Sequence, residues 1–244
     1  MKFKFLVAAA LVAIPNALSA QTVTSSPGTT YYTDGPISSG VTANQLSGVT
    51  LTAYWGSKTN ALTFGSLGSG LFGWQDSDLT IAGIGSTPTY TLGWLLNNTA
   101  GQNLTRLVFD AGTTNFLFDR GNRSTSSEGT NGGTPGSGRG FDFCDAVLAG
   151  PCAIAVSADI WNTQVLYTNQ VAVNPNAPAL DLYRTMDVSF GNGGIGSNRL
   201  ADAFIKFDVD RSSTPVVAPE PSAYLLMATG LLALGIVSRR RRQS

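Results

Sequence analysis

Residues 49–55 read Val49-Thr50-Leu51-Thr52-Ala53-Tyr54-Trp55. Apolar and polar side chains alternate, so Val49, Leu51, Ala53 and Trp55 share one face, and Thr50, Thr52 and Tyr54 share the other. A period of two is the mark of a half-buried strand, and β-branched and aromatic residues fit its pleated surface. The pattern recurs along the chain. In YTLGW, Tyr90, Leu92 and Trp94 line up. In LYRTMDVSF, Leu182, Met186, Val188 and Phe190 do, with Arg184 as the odd member. In AFIKFDVD, Ala203, Ile205, Phe207 and Val209 are expected to face a core, while Lys206, Asp208 and Asp210 face out. LTRLVFD (104–110) and NFLFD (115–119) are two shorter runs.

The spacers between these runs are turn sequences: GSLGSG, NNTAGQN, NPNAP and GNGGIGSN. No segment of the body shows a helical period beyond a short turn in DAVLAG. Many short strands joined by Gly-rich turns predict an all-β fold, an antiparallel β-sandwich or jelly roll over residues 41–211. Residues 21–40, rich in Ser, Thr and Gly, read as an N-terminal arm or edge strand, and 212–218 as a linker.

The chain has 244 residues, of which 43% are hydrophobic and only 12% charged. That is apolar enough to bury a core, unlike a disordered chain. The formal net charge of zero hides an uneven distribution. Lys2 and Lys4 open the chain and four arginines close it. The body between them has nine basic residues against fourteen acidic ones, a net charge near −5. Such a body lacks the basic patch that a nucleic-acid backbone requires, so no nucleic-acid partner is expected. Histidine is absent. This excludes Ser-His-Asp and Cys-His nucleophilic systems and His-ligated zinc or haem, and no cofactor is expected.

Few residues could carry chemistry. Asp76/Asp78 and Asp208/Asp210 are spaced to share a strand face, where a pair could clamp a hard cation. Neither has the oxygen-rich loop and distal Glu of an EF-hand, and a solvated strand face is the expectation, so no metal is assigned. A glycosidase needs two carboxylates across a cleft; Glu128 is the one Glu of the body and sits in a Gly-rich loop. Trp55 and Trp94 are in phase with core residues, while Trp74 and Trp161 stay open as sugar-stacking platforms. NNT, NLT and NRS match the N-glycosylation pattern, which arises easily in such a composition. Residues 120–140 form the longest irregular stretch, without the GK[ST] and following helix of a phosphate loop, and read as a flexible surface loop. No catalytic residue is assigned, and an enzyme is not expected.

Both termini read as targeting segments. Residues 1–20 have a basic start, an apolar run from Phe5 to Ile14, then Pro15 and small residues, the layout of a secretory signal peptide. Export places Cys144 and Cys152 in an oxidising compartment, where two cysteines so close are expected to pair. A loop this short would contribute about 2–3 kcal/mol, less any strain. At the other end, residues 223–237 form an apolar segment expected to be a single transmembrane helix. Its length, roughly 22 Å, falls short of a ~30 Å hydrocarbon core. Arg239, Arg240, Arg241 and Arg242 would hold the cytoplasmic side as a basic stop.

Pro219-Glu220-Pro221, the apolar helix and the arginine cluster, over residues 219–242, resemble the PEP-CTERM sorting signal of exported Gram-negative proteins. The resemblance implies an exosortase as processing partner, acting near Pro219-Glu220-Pro221, with membrane anchoring before processing. LSGVTLTAYW, YTLGWLLNNTAGQNLTRLVFDAG, FLFDR with GTPGSGRG, and DLYRTMDVSF with FIKFDVD are similar to stretches in the bodies of such proteins. That implies fold and location, not an activity. The expectation is an exported, non-enzymatic cell-surface or extracellular-matrix protein, associated with exopolysaccharide. The alternatives are a lectin-like carbohydrate-binding module and a secreted hydrolase.

Overall fold

The computed structural model describes residues 22–26, 29–33, 37–38, 40–89, 92–120, 142–145, 162–172, 179–197 and 199–216. In chain order the strands are β1 (Thr22–Ser25), β2 (Tyr31–Tyr32), β3 (Ile37–Ser38), β4 (Thr50–Trp55), β5 (Lys58–Gly68), β6 (Leu71–Gln75), β7 (Leu79–Ile84), β8 (Trp94–Asn98), β9 (Arg106–Asp110), β10 (Phe116–Asp119), β11 (Asp142–Asp145), β12 (Gln164–Ala172), β13 (Ala179–Ser189), β14 (Arg199–Lys206) and β15 (Asp208–Ser212). A 3-10 turn, Ala43–Gln45, precedes β4. The described body is all-β, as the alternation predicts.

The sandwich is one curled sheet rather than two separate ones. Its order is β11-β14-β8-β7-β6-β5-β4-β9-β13-β10-β15-β3, with β12 on the far edge of β13. The long strand β5 makes the first corner: residues 58–63 pair with β4, and residues 64–68 pair with β6. The second corner is Phe207, between β14, which pairs with β8, and β15, which pairs with β10. β4, β9, β10, β12, β13 and β15 thus form a first layer, and β6, β7, β8, β11 and β14 a second. Two pairings are parallel: β1 and β2 both run along β12. β3 closes the far edge by pairing antiparallel with β15.

The core between the layers is aromatic. Trp94 and Phe207 stack with ring planes 1° apart and centroids at 5.4 Å. Phe109 meets Phe207 at 5.1 Å and Trp74 at 5.3 Å. Each such ring removes roughly 150–250 Å² from water, about 4–6 kcal/mol of gross transfer free energy. Two of the three described indoles also find acceptors: Trp55 Nε1 donates to Asn98 Oδ1 at 2.9 Å, and Trp74 Nε1 to the Val49 carbonyl at 3.0 Å.

Val49, Leu51, Ala53, Trp55, Ala203, Ile205, Phe207 and Val209 all enter this core, as their spacing predicts. Four readings need correction. Asp208 and Asp210 do not face out; both are fully buried. The N-terminal arm covers the other face of the β10–β15 pair, where Tyr31 and Ile37 pack on a second cluster of Leu117, Val171, Leu182 and Val216. Leu182 belongs to that second cluster and not to the row of Met186 and Val188. Tyr183 and Met186, three residues apart, both enter the main core, so the alternation slips by one position. The slip falls where β13 changes partner, from β9 at Thr185 to β10 at Tyr183. Trp74, open in the sequence, is buried at the centre of the core. Finally, GSLGSG is not all turn; it is the end of β5, and the turn itself is Ser69–Gly70.

β5, β6 and β7 escaped the period-two reading because glycines interrupt it. Gly73 shows the cause. A Cβ there would lie 1.8 Å from the Ile81 carbonyl oxygen, so the β6–β7 approach admits only glycine.

Candidate functional site

The structure brings Asp76 and Asp78 together at the β6–β7 turn, but in a structural role. Asp76 Oδ1 accepts from the backbone N–H of Asp78 and Leu79 at 2.7 and 2.8 Å, an Asx-type turn. Its other oxygen accepts from Asn60 Nδ2 at 2.6 Å. Asp78 Oδ2 accepts from Lys58 Nζ at 2.6 Å, with Asn60 and Ser77 as further donors. The Lys58 hydrogen bond, chiefly, holds the Asp78 carboxyl below its ordinary range, against a smaller opposing effect of burial. A cation at this turn would have to displace Lys58. Lys58 and Asn60 lie on β5, a strand that the sequence did not show, so their part in the turn was not legible.

Asp208 and Asp210 lie on the same face of β15, and the register sets Asp119 of β10 directly across from Asp208. All three are fully buried. Thr89 ties this face to the core, accepting from the Val209 N–H at 3.1 Å and lying 3.4 Å from Asp208 Oδ1. Buried carboxylates offer no solvent-facing calcium or sugar subsite. Among the described residues, no group of three or more His, Cys, Asp or Glu is arranged to hold a metal ion.

Arg184, the odd member of its strand, is a buried cation 2% exposed. It donates to the carbonyls of Gly112, Thr114 and Phe116, the last two at 2.5 and 3.3 Å. These carbonyls belong to the connection from β9 to β10 and to the first residue of β10, so the guanidinium pins the point where β13 changes partner. Its carbon lies 5.7 Å from the Tyr31 ring. Burial pushes its pKa down, with Asp110 and Tyr31 opposing.

Two surface features remain. On the outer face of the first layer, Arg106 grips Asp187 with two bonds of 2.8 and 2.5 Å and lies 5.0 Å over the Tyr54 ring. On the outer face of the second layer, a groove of about 560 Å³ is lined by Leu71, Ile84, Leu92, Leu95, Phe204 and Lys206. No single stretch of sequence announced either, because each joins residues from different strands.

Trp161, Cys152, the signal-peptide region and the whole C-terminal tail, with Pro219, Glu220, Pro221 and the four arginines, lie outside the described residues. Cys144 is on β11, at the register position across from Phe204. Among the described residues, no helix is long and apolar enough to cross a membrane.

The described body is β-sandwich-like, with Asp76 and Asp78 tied into a turn and Asp119, Asp208 and Asp210 packed inside. Residues 217–242 match the family model of the PEP-CTERM protein-sorting motif, which spans Pro219-Glu220-Pro221, the apolar segment and the arginine cluster. The chain carries the C-terminal signal of an exported protein that an exosortase recognises and processes at the membrane. Comparison with curated proteins finds no match, and comparison with solved structures finds none.

Proposed function

We propose that the protein is a non-enzymatic cell-surface or extracellular-matrix protein, delivered by exosortase sorting and retained in exopolysaccharide. The sorting motif at 217–242 is the observation that carries this reading. The body supports it: Asp76 and Asp78 are held in a turn, Asp187 in a surface ion pair, and Asp119, Asp208 and Asp210 in the interior, and the chain has no histidine for nucleophilic chemistry. The apolar segment has fewer residues than a comfortable permanent anchor needs, and the two prolines around Glu220 are poor helix formers, a composition that suits recognition by a protease. A lectin-like role through Trp74 or the Asp208/Asp210 pair loses its support, since these side chains are buried.

The test is the intact mass of the surface or released form in an exosortase-bearing host. The expected C-terminus lies near Pro221. Replacing Pro219-Glu220-Pro221 by alanines should leave full-length chain in the membrane fraction. A mature C-terminus at Ser244, unchanged by loss of the exosortase, would make the tail a plain anchor and sink the sorting reading.

A further inference from the structure

The outer face of the first layer is a lattice of side chains, about 4.8 Å apart across strands and about 7 Å apart along them. Register sets Thr63, Thr50, Asp110, Thr185 and Thr168 in one cross-strand row. The next row is Ala61, Thr52, Val108, Asp187, Leu166 and Thr24. The third is Thr59, Tyr54, Arg106, Ser189 and Gln164. All of these side chains are exposed or half-buried. Six strands, from β5 to β1, therefore present one continuous hydroxyl-rich surface to solvent.

Three properties narrow what such a face can hold. Its one cation on these rows, Arg106, is neutralised by Asp187, and the body as a whole is acidic, which disfavours polyanions. Its methyl-bearing side chains are spaced apart: Ala61, Val108 and Leu166 alternate with Thr52 and Asp187 along their row. A protein interface instead needs a contiguous desolvated core with aromatic anchors. Part of its hydroxyls are available: those of Thr24, Thr50 and Thr185 are bonded within the protein, whereas those of Thr52, Thr59, Thr63 and Thr168 make no hydrogen bond within the described residues. Alternating C–H and O–H groups, with a net charge of only −1 from Asp110, Asp187 and Arg106, match the surface of a neutral sugar chain.

We propose that this face binds a neutral polysaccharide laid across the strands. Tyr54, held by Arg106, supplies the apolar platform, and the threonine rows exchange hydrogen bonds with the sugar hydroxyls. Each such bond contributes about 0.5–1.5 kcal/mol net, so retention comes from many contacts along one chain. The proposal rests on the exopolysaccharide association above and names the surface responsible.

The experiment is affinity electrophoresis of the full chain in gels containing neutral hydroxyethylcellulose, anionic alginate, or the exopolysaccharide of an exosortase-bearing host. Thr52→Val, Thr59→Val and Thr63→Val combined keep the β-branched shape and remove three hydroxyls that hold no bond within the described residues. Tyr54→Ala removes the platform. Ile84→Thr, on the outer face of the second layer, is the control. Expected is retardation of the wild type by a neutral polymer, at least a tenfold loss of affinity in the triple variant and in Tyr54→Ala at unchanged melting temperature, and no loss in Ile84→Thr. Should the triple variant unfold, single Thr52→Val and Tyr54→Ala decide, each expected to weaken binding several-fold. Wild-type affinity in the variants, or loss confined to Ile84→Thr, would overturn the face and leave the association standing. Preference for alginate would overturn a neutral ligand. A wild type bound by none of the three polymers would overturn both the face and the association.

Discussion

The two faces of the β10–β15 pair are both buried, by opposite means. One face gives Phe118, Phe207 and Val209 to the aromatic core, where shape and apolar area do the stabilising. The other gives Leu117 to a small cluster under the N-terminal arm and buries Asp119, Asp208 and Asp210 beside it. Hydrogen bonds close that side: Thr33 Oγ1 contacts Ser212 Oγ and lies 2.9 Å from Thr214 Oγ1, and Arg184 gathers three carbonyls nearby. The first face tolerates no loss of volume. The second tolerates no loss of a partner, because a buried polar group left alone costs its full desolvation.

Substitutions on each face can break this contrast. Phe207 touches Trp94, Trp74, Phe109 and Phe118 and occupies the corner between layers. Phe207→Ala should cost about 3–5 kcal/mol, a fall of roughly 10–15 °C in melting temperature. Thermal unfolding checks it, and a loss under ~1 kcal/mol would mean that the corner repacks.

Arg184 tests the polar side. Arg184→Met keeps much of the stem and leaves the Gly112, Thr114 and Phe116 carbonyls without their donor, at a cost of about 2–3 kcal/mol. Arg184→Lys should recover only part, since an ammonium cannot span three carbonyls as a planar guanidinium does. Denaturant unfolding of the two variants measures the difference. Equal stability of Met and wild type would show that the cation's desolvation cancels its bonds.

The smallest effect belongs to the surface turn. The folded pKa of Asp78 is depressed, so its ionised form stabilises the fold above the unfolded value near 4, and that contribution fades as pH falls through the folded pKa. Asp78→Asn should therefore be less stable than wild type at neutral pH, and the gap should close on acidification. A gap that is constant from pH 7 to pH 2 would place the effect in shape rather than charge.

What the sequence by itself determined is the alternation and the tail. Residues 49–55 and 203–209 state which side chains share a face, because the strand period is set by backbone geometry alone. The tail is legible because its parts are contiguous. Tertiary structure decided the rest. Period two says that Asp208 and Asp210 lie opposite Phe207 and Val209, but not whether a distant arm covers that opposite face. β5, β6 and β7 stayed hidden because glycines such as Gly73 are placed by a neighbouring strand's carbonyl and carry no side chain to mark the period. The slip at Arg184 depends on which strand β13 meets at each position, and the threonine rows exist only once register sets six strands side by side. Pairing between strands far apart in the chain is chosen by the packing of the whole sheet, and no local pattern encodes it.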